Sequence, residues 1–426
     1  MKKVSHAKTQ RRKETQSSRF FFAAFLRVLA SLREENFFCN LACEMTPKPQ
    51  PEIRTITRLV PPSGNLVQGQ SELAINPQLA HAAEELIKAS RNHYSPAEGV
   101  GELRDAVAKK IARFNNIQVD PKAVPLELLI TPGATGALIA IAHTHLKNAS
   151  ALVFEPYYPY HRKILAELGG HSHVLPLHGA NLELDVDELR ARCREWKNQP
   201  QFPLRAIIAC SPANPTGKVF TSAELEAIAA VCQELDLLCI ADEVYEHYVV
   251  GENPHASIAT LDGMWDRTIT VNSFSKSWNI SGWRLGYVYG ASKLVAPLNN
   301  SNNVFYVCSP TPLQLALAEV LMSDPAYYNV LRDKFTNKRK TAVEALTKAG
   351  FKIYDSGSAF YIWARIPEGF GDAIDFNEML ISKGVAGVPG GAFADSSEHD
   401  YSMRLCIARE DDILQGALEK IQNAIL

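Results

Sequence analysis

The strongest constraint on the fold of this chain is a regular alternation of two hydrophobic patterns. From about residue 76 onward, short apolar runs of strand length are separated by longer amphipathic stretches of helix length. The strand-like runs lie at 126–131, 151–154, 206–210, 237–241, 268–273 and 285–289. Strands separated by helices pair mostly in parallel, and the connecting helices cover both faces of the sheet. We therefore predict an α/β domain with a largely parallel sheet.

The last hundred residues depart from this alternation. Two long helical patterns, at 312–322 and 327–348, precede a few strands and a terminal helix. This order is typical of a separate, smaller α+β domain. We expect a large domain at 76–310, and a small domain made of 47–75 together with 311–426.

The first 45 residues differ in charge from the rest of the chain. They hold nine Lys or Arg against four Glu, whereas the whole chain has 44 basic and 46 acidic residues. A targeting peptide is one interpretation, but Arg27 interrupts the short apolar run that it would need. We favour the interpretation that residues 1–46 are a disordered or dispensable extension.

The composition argues against several classes of function. Balanced charge gives no support for binding to nucleic acid, and no apolar run approaches the roughly 20 residues that span a bilayer. The eight cysteines are scattered without C-x-x-C spacing, which is typical of reduced thiols in the cytoplasm. The paired histidines at 143 and 145, and at 171 and 173, have no partner ligands nearby in the sequence, so we expect no metal site.

Unusual turns follow several of the predicted strands. Gly133, Ala134 and Thr135 open a helix directly after the first strand, where backbone N–H groups and the helix dipole favour an anion. Considered alone, this sequence is better explained by a plain connecting turn from strand to helix. Tyr158 lies in a rigid, tyrosine-rich turn after the second strand, which could present an aromatic face to a flat ring.

Two further strand ends carry polar groups. Asn214, in an Asn-Pro-Thr-Gly turn, could donate to a ligand oxygen. Asp242 ends an apolar strand, where a carboxylate is costly unless a positive group compensates it, and Tyr245 follows three residues later. Ligands of such sheets bind outside the carboxyl ends of the strands, so these turns would meet at one site.

The run from Ser273 through Ser275 and Lys276 to Arg284 adds a reactive amine to this set. A neutral lysine forms a Schiff base with an aldehyde. A nearby arginine can bind a phosphate with its planar fork and also lower the pKa of that lysine. By itself, a lysine between serines is more typical of an exposed loop.

As a set, these motifs resemble those of the class I/II aminotransferases, the fold-type I enzymes that use pyridoxal 5'-phosphate, over roughly residues 60–425. The resemblance implies that Lys276 is the Schiff-base lysine and that Asp242 pairs with the pyridine nitrogen. It further implies that Asn214 and Tyr245 bind the phenolic oxygen and that Tyr158 stacks on the ring. The phosphate ligands that it implies are Gly133, Ala134, Thr135, Ser273, Ser275, Arg284 and, from a partner subunit of a homodimer, Tyr94.

On the substrate side, the resemblance implies that Arg404 binds the α-carboxylate of an amino acid and that Gly69 closes over it, with Asn214 nearby. The expected reaction is transfer of the amino group from an L-amino acid to a 2-oxo acid, with Lys276 moving the proton. The same groups also serve a C–S β-lyase or a side-chain cyclase, which remain alternatives. A regulator of transcription that senses the cofactor is a weaker one, because the N-terminal extension is too short for a DNA-binding domain.

Overall fold

The computed structural model describes residues 52–250, 255–354 and 357–426, so the predicted extension at 1–46 lies outside the described part. Its larger sheet has seven strands in the order β1-β7-β6-β5-β4-β2-β3. The strands are β1 Leu128–Thr131, β2 Ser150–Glu155, β3 His171–Pro176, β4 Leu204–Cys210, β5 Leu238–Asp242, β6 Thr268–Ser273 and β7 Gly286–Gly290. Neighbouring strands from β3 across to β6 run parallel, and β7 is antiparallel to both β1 and β6. The prediction of a largely parallel sheet is confirmed.

A second sheet has four strands in the order β10-β11-β9-β8, and every neighbouring pair is antiparallel. Its strands are β8 Lys352–Ile353, β9 Tyr361–Arg365, β10 Val388–Pro389 and β11 Ser402–Cys406. The N-terminal part of the described chain reaches this sheet, because the amide of Cys406 donates to the carbonyl of Leu66. The division into domains at 76–310 and at 47–75 with 311–426 stays a prediction.

Helices cover the two long stretches predicted at 312–322 and 327–348, with bounds that differ by at most two residues. The helices are α1 Ile53–Thr57, α2 Pro77–Lys88, α3 Gly101–Asn115, α4 Gly133–His145, α5 Pro159–Glu167, α6 Val186–Lys197, α7 Ser222–Glu234, α8 Phe274–Ser277, α9 Ser292–Tyr306, α10 Thr311–Val320, α11 Tyr327–Lys348, α12 Ala373–Ser382 and α13 Asp411–Ile425. Over the described ranges, no helix is both long and apolar enough to cross a membrane.

Apolar side chains pack on both faces of the larger sheet. Leu152, Ile207 and Cys239 belong to one buried cluster, and Val153 and Ile208, which neighbour them along the strands, belong to another. This alternation follows from the period of two in a strand. Because both faces are covered, the strand ends are where polar side chains of the sheet can meet a ligand.

Several elements were not predicted from the sequence, and β3 and α9 are two of them. Strand β3 lies at the edge of the sheet and carries the polar residues His171, Ser172 and His173, so it lacks an apolar run. Helix α9 contains Pro297 and several asparagines, which lower helix propensity. Both are held by neighbours in the fold rather than by strong local preference, since β3 pairs along β2 and α9 packs on α4.

Candidate active site

The predicted site residues lie at the carboxyl edge of the larger sheet. Asp242 is the last residue of β5 and Ser273 is the last residue of β6, next to it in the sheet. Gly133 begins helix α4 two residues after β1 ends. The topology therefore brings turns that are far apart in the sequence to one edge, as the rule for parallel sheets predicts.

Lys276 lies in α8, a single turn that follows β6. The hydroxyl of Ser273 caps this turn by accepting from the amide of Ser275 at 3.1 Å. The Nζ of Lys276 donates to the backbone carbonyl of Gly69 at 2.7 Å. Burial of the amine lowers its pKa to about 8, and the positive charges of Arg404 and Arg284 act in the same direction. A lysine with this pKa is partly neutral near pH 7 and can act as a nucleophile or a base.

Asp242 has a partner that the sequence did not suggest. Its Oδ2 lies 2.8 Å from Nε2 of His161, and both side chains are buried. His161 lies in α5, and its ring contacts that of Tyr158 edge to face, with 5.2 Å between the centroids. Tyr158 and His161 are three residues apart, a spacing that brings side chains together on a helix. That spacing is the only local signal that could have drawn attention to His161.

Tyr245 and Asn214 are each held by one further residue of the site. The hydroxyl of Tyr245 lies 2.7 Å from that of Tyr361, which sequence reasoning missed, and burial raises the pKa of Tyr245 well above its usual value. The Oδ1 of Asn214 accepts from Nη1 of Arg404 at 2.8 Å, so the amide nitrogen of Asn214 is the group that can donate to a ligand. Tyr245 also lies near the lysine, because the Nζ of Lys276 is 6.0 Å from the centre of the Tyr245 ring.

The predicted phosphate turn meets Arg284. Gly133 has a positive φ of 71°, and a Cβ at this position would lie 2.7 Å from Nη2 of Arg284, so the close approach requires glycine. Pro132 precedes helix α4 and no side chain caps that end, which leaves the first N–H groups, including those of Ala134 and Thr135, for an anion. Arg284 also donates to the carbonyl of Pro132 at 3.3 Å. These groups fit a phosphate.

Arg404, in β11, is buried and is bound only to uncharged groups in the described part of the chain. Besides Asn214, it donates through Nη2 to the carbonyl of Val67 at 2.6 Å. Its guanidinium carbon lies 4.6 Å from the ring of Tyr361 and 4.8 Å from that of Phe393, and its Nε has no partner among the described residues. A buried guanidinium with a free donor is suited to a carboxylate.

The remaining predicted residues are Gly69, Ser273 and Tyr94, and they differ in their contacts and in their exposure. Gly69 lies against Tyr361, and a Cβ there would come 2.2 Å from the tyrosine hydroxyl. Ser273 also donates to the carbonyl of Leu285 at 3.2 Å, so its hydroxyl shapes the lysine turn. Tyr94 is 84% exposed in this single chain, unlike the buried residues of the site.

Among the residues that the structure describes, two groups of side chains have the composition of metal ligands. One is His161, Cys210 and Asp242, and the other is Glu243, Glu246 and His255. The first belongs to the site described above. In the second, Glu246 is already bound by the ammonium of Lys110. Neither group therefore offers a set of ligands that is free of other roles.

The fold and the site together define an α/β enzyme with a lysine-centred site for an anionic, aromatic ligand. The chain belongs to the family "Aminotransferase class I and II", whose model matches residues 63–421. It is thus an aminotransferase, and the predictions of this family, of its fold and of amino-group transfer are confirmed.

Named relatives differ in their substrates. The chain is 33% identical over 371 residues to the probable N-succinyldiaminopimelate aminotransferase DapC of Mycobacterium tuberculosis. The matched region covers 84% of this chain and 91% of that protein. It is 33% identical over 362 residues to an aspartate aminotransferase of Pyrococcus abyssi, covering 84% and 90%. The solved structure of the Mycobacterium tuberculosis N-succinyldiaminopimelate aminotransferase matches with a TM-score of 0.81 and 31% identity, covering 87% of this chain and 96% of that one.

Proposed function

We propose that this aminotransferase holds pyridoxal 5'-phosphate at Lys276 and acts as a homodimer on an L-amino acid and a 2-oxo acid. The observation that supports it most directly is the meeting, at one sheet edge, of a buried lysine of lowered pKa with groups suited to each part of that cofactor. Family membership supports the same cofactor.

Each residue of the site would have a distinct part in holding the cofactor. Asp242, fixed by His161, would keep the ring nitrogen protonated, and Tyr158 would lie against the ring face. Asn214 and Tyr245 would donate to the phenolic oxygen. The phosphate would lie among Gly133, Ala134, Thr135, Ser273, Ser275 and Arg284, with Tyr94 of the partner subunit.

When bound, the cofactor supplies an aldehyde and a ring that accepts electrons. The amine of Lys276, whose lowered pKa of about 8 leaves a fraction of it neutral near pH 7, would take the proton from the substrate Cα and return it on the cofactor side. Asp242 would stabilise positive charge at the ring nitrogen, because its buried side chain is held in place by His161. Two half-reactions follow in turn, so we expect ping-pong kinetics.

Substrate recognition would centre on Arg404. Its free Nε and its fork can accept the α-carboxylate that every amino acid substrate shares. Gly69 would lie over the bound substrate, since its carbonyl is already within hydrogen-bond distance of Lys276. We further propose a cytoplasmic role in amino acid metabolism. The six described cysteines are all free, which suits a reducing compartment.

Borohydride trapping tests the cofactor and its anchor together. The purified enzyme should be yellow, and reduction followed by peptide mapping should leave the cofactor on Lys276. Lys276→Ala should give no labelled peptide, while Lys109→Ala, at an exposed lysine of α3, serves as a control for loss of a different lysine. Label on another lysine, or none in the wild-type enzyme, would refute the assignment.

The amino donor and the dimer need separate measurements. A panel of amino acids scanned for bleaching of the cofactor absorbance, with the oxo-acid or ammonia products identified, names the donor and distinguishes transfer from elimination. Sedimentation of the active enzyme should give a dimer. Full activity in a proven monomer would remove the proposed role of Tyr94.

A further inference from the structure

Residues 65–72, here called the strap, are held to the protein through their backbone carbonyls. Arg409 makes three of these bonds: its Nε donates to Asn65 at 2.6 Å, its Nη1 to Gln70 at 2.8 Å and its Nη2 to Gln68 at 3.0 Å. The side chain of Arg409 is fully buried. A planar guanidinium thus fixes three points of a segment that belongs to no helix or strand of the described chain.

Two more strap carbonyls are bound by residues of the active site. Lys276 donates to Gly69 at 2.7 Å and Arg404 donates to Val67 at 2.6 Å. In the proposed function these same donors engage the cofactor aldehyde and the substrate carboxylate. Each would then have fewer N–H groups for the strap, so the hydrogen bonds to Gly69 and Val67 would weaken as the ligands bind.

Arg409 is not subject to this competition. Its Nε lies 3.4 Å from the carboxylate of Glu72, which balances its charge at the end of the strap. Lys338 donates to the carbonyl of Arg409 at 2.8 Å and also pairs with Asp411, which fixes the backbone there. Arg409 also follows β11, which carries Arg404, by three residues, so the anchor and the carboxylate ligand lie on one continuous segment.

We infer that Arg409 is a positioning residue that keeps the strap over the active site. It does so while Lys276 and Arg404 release the strap carbonyls of Gly69 and Val67 and bind the cofactor and the substrate instead. The inference rests on the roles proposed for Lys276 and Arg404. It predicts that weakening Arg409 loosens the strap and impairs binding of the amino donor. The cofactor should stay bound, because none of its proposed ligands touches Arg409.

The test compares Arg409→Lys and Arg409→Gln with the wild-type holoenzyme by hydrogen exchange of the peptide that covers the strap. The amides of Leu66, Val67 and Glu72 donate hydrogen bonds, so they have protection to lose. We expect exchange there to rise at least about tenfold, and KM for the donor to rise by a similar factor with kcat within about threefold. The lysine variant keeps the charge but not the fork, so its effect should be intermediate.

Arg267→Lys is the matched control, because Arg267 also donates to backbone carbonyls, those of Cys232 and Gly263. Arg267 directly precedes the first residue of β6, whereas the active site lies at the other end of that strand. The substitution should leave strap exchange and KM unchanged. Strap protection that is unchanged in both Arg409 variants, or lost equally across the whole chain, would overturn the inference. Absence of cofactor absorbance in the wild-type enzyme would instead contradict the proposed function, while exchange of the strap in the apoprotein would still test the anchor.

Discussion

Two groups of buried cations in this enzyme have opposite surroundings. Lys110, in α3, is paired with the buried carboxylate of Glu246 and also donates to the hydroxyl of Tyr287 at 2.9 Å. Lys276 and Arg404, at the active site, have no carboxylate within salt-bridge distance among the described residues. They are bound instead to backbone carbonyls and to an amide oxygen.

The difference is visible in the pKa values. Burial would raise the pKa of Glu246, but the charge of Lys110 and neighbouring histidines lowers it to about 2. The network is closed further by Asn115, which donates to Glu246 at 2.6 Å, and by Asn272. Lys276 has no contacting carboxylate among the described residues, and burial lowers its pKa to about 8 although Cys406 and Asp242 act in the opposite direction. A buried charge with a matched partner serves the fold, whereas one that lacks it is suited to an incoming anion or to proton transfer.

The segment from Asp242 to Glu246 separates these two environments. Asp242 and Tyr245 face the active site, where they contact His161 and Tyr361. Glu246 turns into the network around Lys110. The two carboxylates therefore have different surroundings although they are only four residues apart, and the comparison can be tested by removing one cation at a time.

Removal of Lys276 should have the largest effect on turnover. Lys276→Ala should lower the transamination rate by about 10³-fold or more, because it removes the proton carrier and the covalent anchor. Its thermal stability should be unchanged or higher, since an uncompensated buried amine is lost. Turnover assays and thermal unfolding of the same preparation check both parts. Normal turnover in a folded Lys276→Ala enzyme would disprove the assignment.

Removal of Lys110 should instead act on stability. Lys110→Met leaves Glu246 buried without its cation, which should cost about 3–5 kcal/mol of unfolding free energy. The double variant Lys110→Met/Glu246→Gln should recover part of this loss, because no unpaired charge remains. Denaturant unfolding measures the change. A strong loss of turnover without a loss of stability would show that the two groups of cations are not functionally distinct.

Replacement of Arg404 should impair every amino acid substrate alike. Arg404→Ala should lower kcat/KM about a hundredfold through KM, because it removes charge-assisted hydrogen bonds to the shared α-carboxylate. Arg404→Lys should retain part of the affinity but lose the bidentate geometry. Steady-state kinetics with several donors distinguish these outcomes. An effect on a single donor would point to a side-chain contact instead.

The sequence predicted those parts of the site that follow strands. Asp242, Asn214 and Lys276 could be predicted because a parallel sheet brings the residues after its strands to one edge. His161, Tyr361 and Arg409 were missed for different reasons. His161 lies within a helix, Tyr361 lies in the second sheet, and Arg409 binds backbone carbonyls, which leave no pattern in the sequence. Polar side chains whose partners are distant or are backbone groups cannot be identified from local spacing.

The smallest expected effect concerns the pH dependence of cofactor capture by the apoprotein. Only the neutral amine of Lys276 attacks an aldehyde, so the capture rate should rise about tenfold per unit below pH 8 and level off above it. With Arg404→Ala the midpoint should move upward, because a positive charge that lowers the pKa of Lys276 is removed. The change should be less than one pH unit, because burial is the larger cause of the lowered pKa. Stopped-flow absorbance at a series of pH values measures both midpoints. A wild-type midpoint near the ordinary lysine value of about 10.5 would mean that the amine is solvated like an exposed lysine, and the contrast with Lys110 would then no longer hold.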